Sequence, residues 1–225
     1  MAASNINRQE FKMALFDSAK IIGLELSENQ AELLINYLEL LVKWNKAYNL
    51  TAIRDPKEML TKHLIDSLSI APYIRMNKNK LGEDHNILDV GTGPGLPGIP
   101  MSILYPEIDF LLLDSNGKKT RFLTQCKIML GLDNVQVFNG RVEEAAVGKK
   151  FDQILSRAFT ALGNMVDLCA HLLADKGQFL AMKGLAPESE ANDIPSTFEI
   201  KESIQLHVPG CVEQRHLIII ERAEN

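Results

Sequence analysis

The sequence predicts an α/β protein: a mostly parallel sheet with an antiparallel hairpin at its C-terminal end and a helical extension at its N-terminal end. Three observations carry this. The first third of the chain repeats its apolar residues at helical spacing. From Asn86 to Lys183 short apolar runs alternate with helical stretches, the pattern of a parallel sheet with helices on both faces. Two last strands then flank Pro209-Gly210, where a turn reverses the chain.

The elements follow in order. Phe11, Leu15, Ala19 and Ile22 set one helix from about Asn5 to Ile22, and Gly23 ends it. Ser27-Glu28-Asn29-Gln30 is a capping box that opens a second helix, with Leu34, Tyr37, Leu38 and Leu41 in its apolar stripe. Asp55-Pro56 opens a third, to about Ile70. A polar linker, Lys78 to His85, leads to strand 86–90, helix 97–104, strand 108–113, helix 117–130 and strand 135–139. Strand 152–156, helix 162–173, strand 177–183 and the hairpin strands 198–207 and 215–221 complete a Rossmann-like fold. The expected division is a helical extension over residues 1–80 and a cofactor-binding domain over residues 81–225, packed as one unit.

Composition narrows the class. Of the 225 residues 46% are hydrophobic and 24% charged, ordinary for a globular protein. No apolar run approaches the roughly 18 residues of a membrane span, and Arg8, Glu10 and Lys12 are wrong for a signal peptide. The three cysteines, Cys126, Cys169 and Cys211, are scattered, with no metal-ligand spacing, so reduced thiols, a cytoplasmic location and no metal are expected. A net charge of −5 argues against a large non-specific nucleic-acid binder but leaves room for a local basic patch.

Function starts at Ile87-Leu88-Asp89-Val90-Gly91-Thr92-Gly93-Pro94-Gly95-Leu96-Pro97-Gly98, a strand ending in an acid and then a glycine-rich turn into a helix. Glycines there let a ligand lie against bare backbone. Asp114 ends the next strand, where an acid accepts from ribose hydroxyls. The pair describes a site for an adenosine-containing cofactor. Gly93, Gly95 and Gly98 match a dinucleotide fingerprint in spacing, but the glycine directly after the strand is Gly91, and from there the third position is Leu96. Pro94 and Pro97 also remove N–H donors that a pyrophosphate would need. The turn reads better as D-x-G-x-G-x-G through Asp89, Gly91, Gly93 and Gly95, which resembles the first motif of class I S-adenosylmethionine-dependent methyltransferases. Their cofactor carries no phosphate.

Ligands of such sheets bind beyond the carboxyl ends of the strands. Asp89 is placed to organise the turn and attract the cofactor's ammonium, and Asp114 to hold its ribose. Val142 and Glu143 follow the third strand and suit adenine, one by packing and one by a polar contact. Arg157 faces the arriving methyl acceptor, unless a neighbouring carboxylate claims it. Lys118, Lys119, Arg121, Arg141 and Lys183 would ring the mouth with positive charge, the first three otherwise being a solvated helix face. Lys43, Lys46, Arg54, Lys57 and Lys62, with Trp44, Tyr48 and His63 among them, form a second RNA-binding candidate, or else a solvated face over core aromatics. His63 and Asp66 lie one turn apart with no nucleophile beside them, which favours a structural role.

Ser156-Arg157-Ala158-Phe159 stands where adenine amino methyltransferases carry Asn/Asp-Pro-Pro-aromatic, and no cysteine is placed for attack on a pyrimidine carbon. An acceptor that needs no base remains, and guanine N7, with a free lone pair, is one.

These residues carry a resemblance. Trp44-Asn45-Lys46, Tyr48-Asn49-Leu50-Thr51-Ala52-Ile53, Lys62-His63-Leu64-Ile65-Asp66-Ser67-Leu68, the loop 89–100, Leu113-Asp114-Ser115, Arg141-Val142-Glu143-Glu144 and Ser156-Arg157-Ala158-Phe159 resemble the small-subunit ribosomal RNA methyltransferase G family, also called glucose-inhibited division protein B. The likeness runs from about residue 20 to residue 221. It implies a bacterial cytoplasmic enzyme that uses S-adenosylmethionine to methylate N7 of one guanine in 16S ribosomal RNA, within the small subunit or an assembly intermediate. It implies cofactor contacts at Gly91, Leu96, Val142, Glu143 and Arg157. Lys119 departs from the arginine frequent in the family. The competing readings are a methyltransferase on another RNA or a small molecule, a non-catalytic RNA- or ribosome-binding protein, and a nicotinamide oxidoreductase.

Overall fold

The computed structural model describes residues 6–74, 85–145, 149–185, 190 and 193–223. Most of the expected linker lies outside them.

Helices α1 (Arg8–Ile21) and α2 (Glu28–Tyr48) pack together first. Asn7 caps α1. The Ser27–Gln30 capping box closes on α2 in both directions, satisfying two backbone N–H groups. Asn49 ends α2 in the left-handed conformation. The expected third helix is three pieces: α3 (Pro56–Met59) capped by Asp55, a π-helical turn (Leu60–Ile65) and α4 (Asp66–Leu68). The wider π turn frees backbone carbonyls, among them that of Lys62, for partners outside the helix.

The sheet has seven strands: β1 (Asn86–Val90), β2 (Asp109–Asp114), β3 (Val135–Asn139), β4 (Phe151–Arg157), β5 (Leu173–Lys183), β6 (Phe198–Leu206) and β7 (Arg215–Arg222). Their spatial order is β3-β2-β1-β4-β5-β7-β6. The first five are parallel, and β7 is antiparallel to both β5 and β6. The expected hairpin is thus present, with β7 inserted next to β5 and β6 at the edge. Helices α5 (Gly98–Leu104), α6 (Gly117–Leu130) and α7 (Leu162–Cys169) cross between parallel strands. The helix expected to reach residue 173 gives way at Cys169 to a tight turn over Ala170–Leu172, because Leu173 already pairs with Phe151 in the sheet.

The strand alternation sorts the core. Ile87 faces α5, α6 and the N-terminal helices, while Leu88 and Val90 face α7. On the first face one continuous apolar cluster joins Leu15 of α1 and Leu34 and Tyr37 of α2 to Phe122 and Leu123 of α6. Trp44, half-buried, lies 5.7 Å from the Phe122 ring, centroid to centroid. The extension and the sheet therefore share one core. No described helix is long and apolar enough to cross a membrane.

Candidate active site

Asp89 leaves β1 on the α5 side and is wholly buried. Its Oδ2 accepts from Thr92 Oγ1 at 2.6 Å and from the Gly98 N–H at 2.8 Å, tying the loop's start to its end. Burial pushes its pKa up to about 7, against the pull of those two hydrogen bonds. Its Oδ1 has no partner among the described residues. The loop is also held from outside: the buried Tyr37 hydroxyl donates to the Pro94 carbonyl at 2.8 Å, and Thr92 N–H donates to the Leu113 carbonyl.

The glycines differ in purpose. Gly91 and Gly93 have φ of +64° and +63°. A Cβ on Gly91 would stand 2.4 Å from Phe159 Cδ2, so that ring lies directly on the Gly91 backbone. Above Gly93 nothing comes nearer than 4.0 Å, which makes it the position where bare backbone is open. The Gly95 face is filled by Ile99 and Leu123, and Gly98 lets α5 close onto Leu112 and Asp89. Asp89 and Gly95 therefore stand behind the loop and shape it, outside the clefts.

Two clefts meet at Gly91. One, of about 390 Å³, is lined by Leu113, Asp114, Ser115, Arg141, Val142, Glu143 and Phe159. Asp114 Oδ2 accepts from Gly93 N–H at 2.9 Å and Oδ1 from Asn116 N–H at 2.8 Å, leaving each oxygen further lone-pair capacity. Lys119 Nζ stands 3.6 Å from Asp114 and lines both clefts. Val142 is buried, with exposed Glu143 beside it.

The other cleft, of about 450 Å³, lies between the π turn, the glycine loop and the ends of β4, β5 and β7. Arg157 Nη1 donates to Asp66 Oδ2 at 3.0 Å and to the Lys62 carbonyl at 3.1 Å. Asp66 Oδ1 accepts from Arg215 Nε at 2.8 Å. His63 hydrogen-bonds Lys62 O through Nδ1 at 3.0 Å and Thr51 Oγ1 through Nε2 at 2.9 Å. A carbonyl only accepts, so Nδ1 carries the proton and Nε2 takes the threonine hydroxyl. Burial, aided by the Arg157 charge, lowers the His63 pKa to about 4, so the ring is neutral. His63 and Asp66 thus serve different partners.

The structure gathers Gly91, Gly93, Leu96, Asp114, Val142, Glu143 and Arg157 around these two clefts, with Arg141, Lys119 and Lys183. Lys183 is engaged with Glu190 and the Thr160 carbonyl. Lys43, Lys46, Lys118 and Arg121 are exposed, line neither cleft and form no salt bridge among the described residues. Sequence reasoning missed Arg215 and Tyr37. Arg215 escapes a list of strand carboxyl ends because β7 runs antiparallel and brings its amino end to the rim beside Lys183. Tyr37 looks like any apolar-stripe residue until its hydroxyl is followed.

A parallel α/β sheet with a glycine loop after β1, an acid after β2 and an antiparallel β7 defines a class I methyltransferase. Solved structures share that fold. The magnesium protoporphyrin IX methyltransferase of Synechocystis PCC 6803, solved with bound SAM, matches with a TM-score of 0.59 at 12% identity, over 83% of this chain and 97% of that one. TrmN from Thermus thermophilus matches at 0.53 and 15% identity, over 73% of this chain and 53% of that one. The chain belongs to the rRNA small subunit methyltransferase G (GidB) family, whose model matches residues 30–218. The ribosomal RNA small subunit methyltransferase G of Marinobacter nauticus is 52% identical over 210 residues, covering 93% of this chain and 94% of the relative. That of Pseudomonas entomophila is 50% identical over 208 residues, covering 92% and 94%. The protein is an S-adenosylmethionine-dependent rRNA methyltransferase.

Proposed function

We propose that this enzyme methylates N7 of one guanine in 16S ribosomal RNA, acting in the bacterial cytoplasm on the small subunit or an assembly intermediate. One observation carries the choice of acceptor atom. The groups in the Arg157 cleft that could remove a proton are already engaged: Asp66 accepts from two guanidiniums, and His63 Nε2 accepts from Thr51. Guanine N7 has a lone pair and no proton to lose, so transfer to it needs position and electrostatics rather than a base. The cysteines agree. Burial raises the thiol pKa of Cys126 and Cys169, the latter to about 12, and neither lines a cleft.

S-adenosylmethionine supplies an electrophilic methyl group on a sulfonium, and the residues present fit it. Asp114 has lone pairs left for a ribose, Val142 and Leu113 give apolar walls for adenine with Glu143 at the rim, and Gly93 leaves space above its backbone. Arg157 has donors beyond those spent on Asp66 and Lys62 and would take the cofactor's carboxylate. Leu96, also lining the cleft, would pack against the methionine chain. Asp89 would act on the cofactor through the loop it ties. Lys43, Lys46, Lys118, Arg121 and Arg141, all exposed, would hold RNA backbone.

Single-turnover transfer to unmethylated small subunits, followed against pH, tests the base-free reading. The expected rate is flat between about pH 6 and about pH 8.5. A rate rising tenfold per pH unit across that range would place a titrating base in the site and overturn it.

A further inference from the structure

Arg215 has no role in the reading above, yet it reaches the same cleft from the far end of the chain. Its Nε is fixed on Asp66 at 2.8 Å and its Nη1 donates to the Gln214 carbonyl at 2.8 Å. Its Nη2 has no partner among the described residues. Asp66 is 3% exposed at its side chain and is shared between Arg157 and Arg215. One buried carboxylate between two guanidiniums leaves one positive charge over. The other cations of this cleft are matched: Lys62 by Glu58 and Glu213, Lys119 by Asp114, and Lys183 by Glu190. Within the Arg157–Asp66–Arg215 triad one positive charge is thus left over, balanced only by the second, solvent-exposed glutamate on Lys62, and its two arms face different neighbours. Arg157 leaves β4 beside the glycine loop, and Arg215 leaves β7 opposite Leu206, on the outer side of the sheet.

Resting on the rRNA methyltransferase reading, we propose that Arg215 is an acceptor-side anchor that binds a phosphate of the RNA strand next to the target guanine. Asp66 is its positioning residue and keeps it apart from Arg157, which serves the cofactor. A guanidinium held by Nε keeps its Nη edge available, and a phosphate accepts from that edge. Because Asp66 grips both arms, the distance between cofactor and strand anchor is set by one rigid side chain.

The test measures binding of unmethylated small subunits over a range of salt at constant magnesium, and cofactor affinity by calorimetry. Wild type, Arg215→Gln and Arg215→Lys are compared, each checked by its thermal unfolding midpoint. Arg215→Gln should bind subunits about tenfold more weakly, with a salt slope smaller by about one. Its cofactor Kd should stay within about twofold of wild type. Arg215→Lys keeps the charge and should keep the slope. An unchanged slope in Arg215→Gln, or cofactor binding weakened as much as subunit binding, would overturn the proposal. So would an Arg215→Lys that loses the slope, since the slope counts the positive charge brought to the phosphate and the lysine keeps that charge. Failure of the wild type itself to transfer label to RNA would sink the functional reading and this one with it. A wild type that transfers beside an indistinguishable Arg215→Gln would sink this one alone.

Discussion

Gly91 and Gly93 share a left-handed φ but not a neighbour, and their alanine variants should differ accordingly. Gly93→Ala meets no protein atom and costs stability only through its conformation, about 1–2 kcal/mol in a denaturation curve, while its methyl group enters the space proposed for the cofactor and weakens binding directly. Gly91→Ala carries the same cost and also drives Phe159 off the loop, so it should weaken cofactor binding by tenfold or more in calorimetry. Two buried titrating groups predict opposite pH slopes. His63 has its folded pKa lowered from 6.5 to about 4. The unfolded chain binds that proton first, so the stability it contributes above pH 6.5 is lost as pH falls toward 4. Asp89 has its folded pKa raised from 3.8 to about 7, so the folded state holds the proton and stability falls as pH rises through that window. Urea unfolding of His63→Gln and Asp89→Asn against wild type should each flatten the corresponding slope.

At the scale of elements the loop depends on a helix that precedes the sheet. Tyr37→Phe removes one buried hydroxyl behind the loop and leaves the Pro94 carbonyl without its donor. The expected loss is about 1–3 kcal/mol in urea unfolding, accompanied by weaker cofactor binding. Much of the element plan was legible in the residues. Strands 86–90 and 135–139 and helix 117–130 fall where alternation, the Asn116 cap and Gly131 place them. The glycine loop, Asp114, Val142, Glu143 and Arg157 could be read because a parallel strand announces its rim at its carboxyl end. What stayed hidden depends on long-range partners. The π turn differs from an α-helix only in where its carbonyls find donors, and one of those donors, Arg157, lies 95 residues away. Arg215 arrives on an antiparallel strand, where the carboxyl-end rule does not look.

Over the whole molecule the net charge of −5 hides an uneven surface. Lys43 and Lys46 of α2 and Lys118 and Arg121 of α6 sit on helices joined by the Trp44–Phe122 contact, and none has an acidic partner among the described residues. Replacing Lys118 and Arg121 together by alanine should lower the salt slope of subunit binding by about two and leave cofactor affinity unaltered. The single core running from α1 to α6 means that the helices carrying these cations and the cofactor loop are held by the same packing.

The most direct measurement incubates the purified enzyme with labelled S-adenosylmethionine and small ribosomal subunits that lack the modification, then identifies the labelled nucleoside. The proposed function predicts 7-methylguanosine from 16S RNA, lost in Arg157→Ala and Asp114→Ala. Label in any other nucleoside, or bound cofactor with no label in RNA, would contradict the assignment of the acceptor.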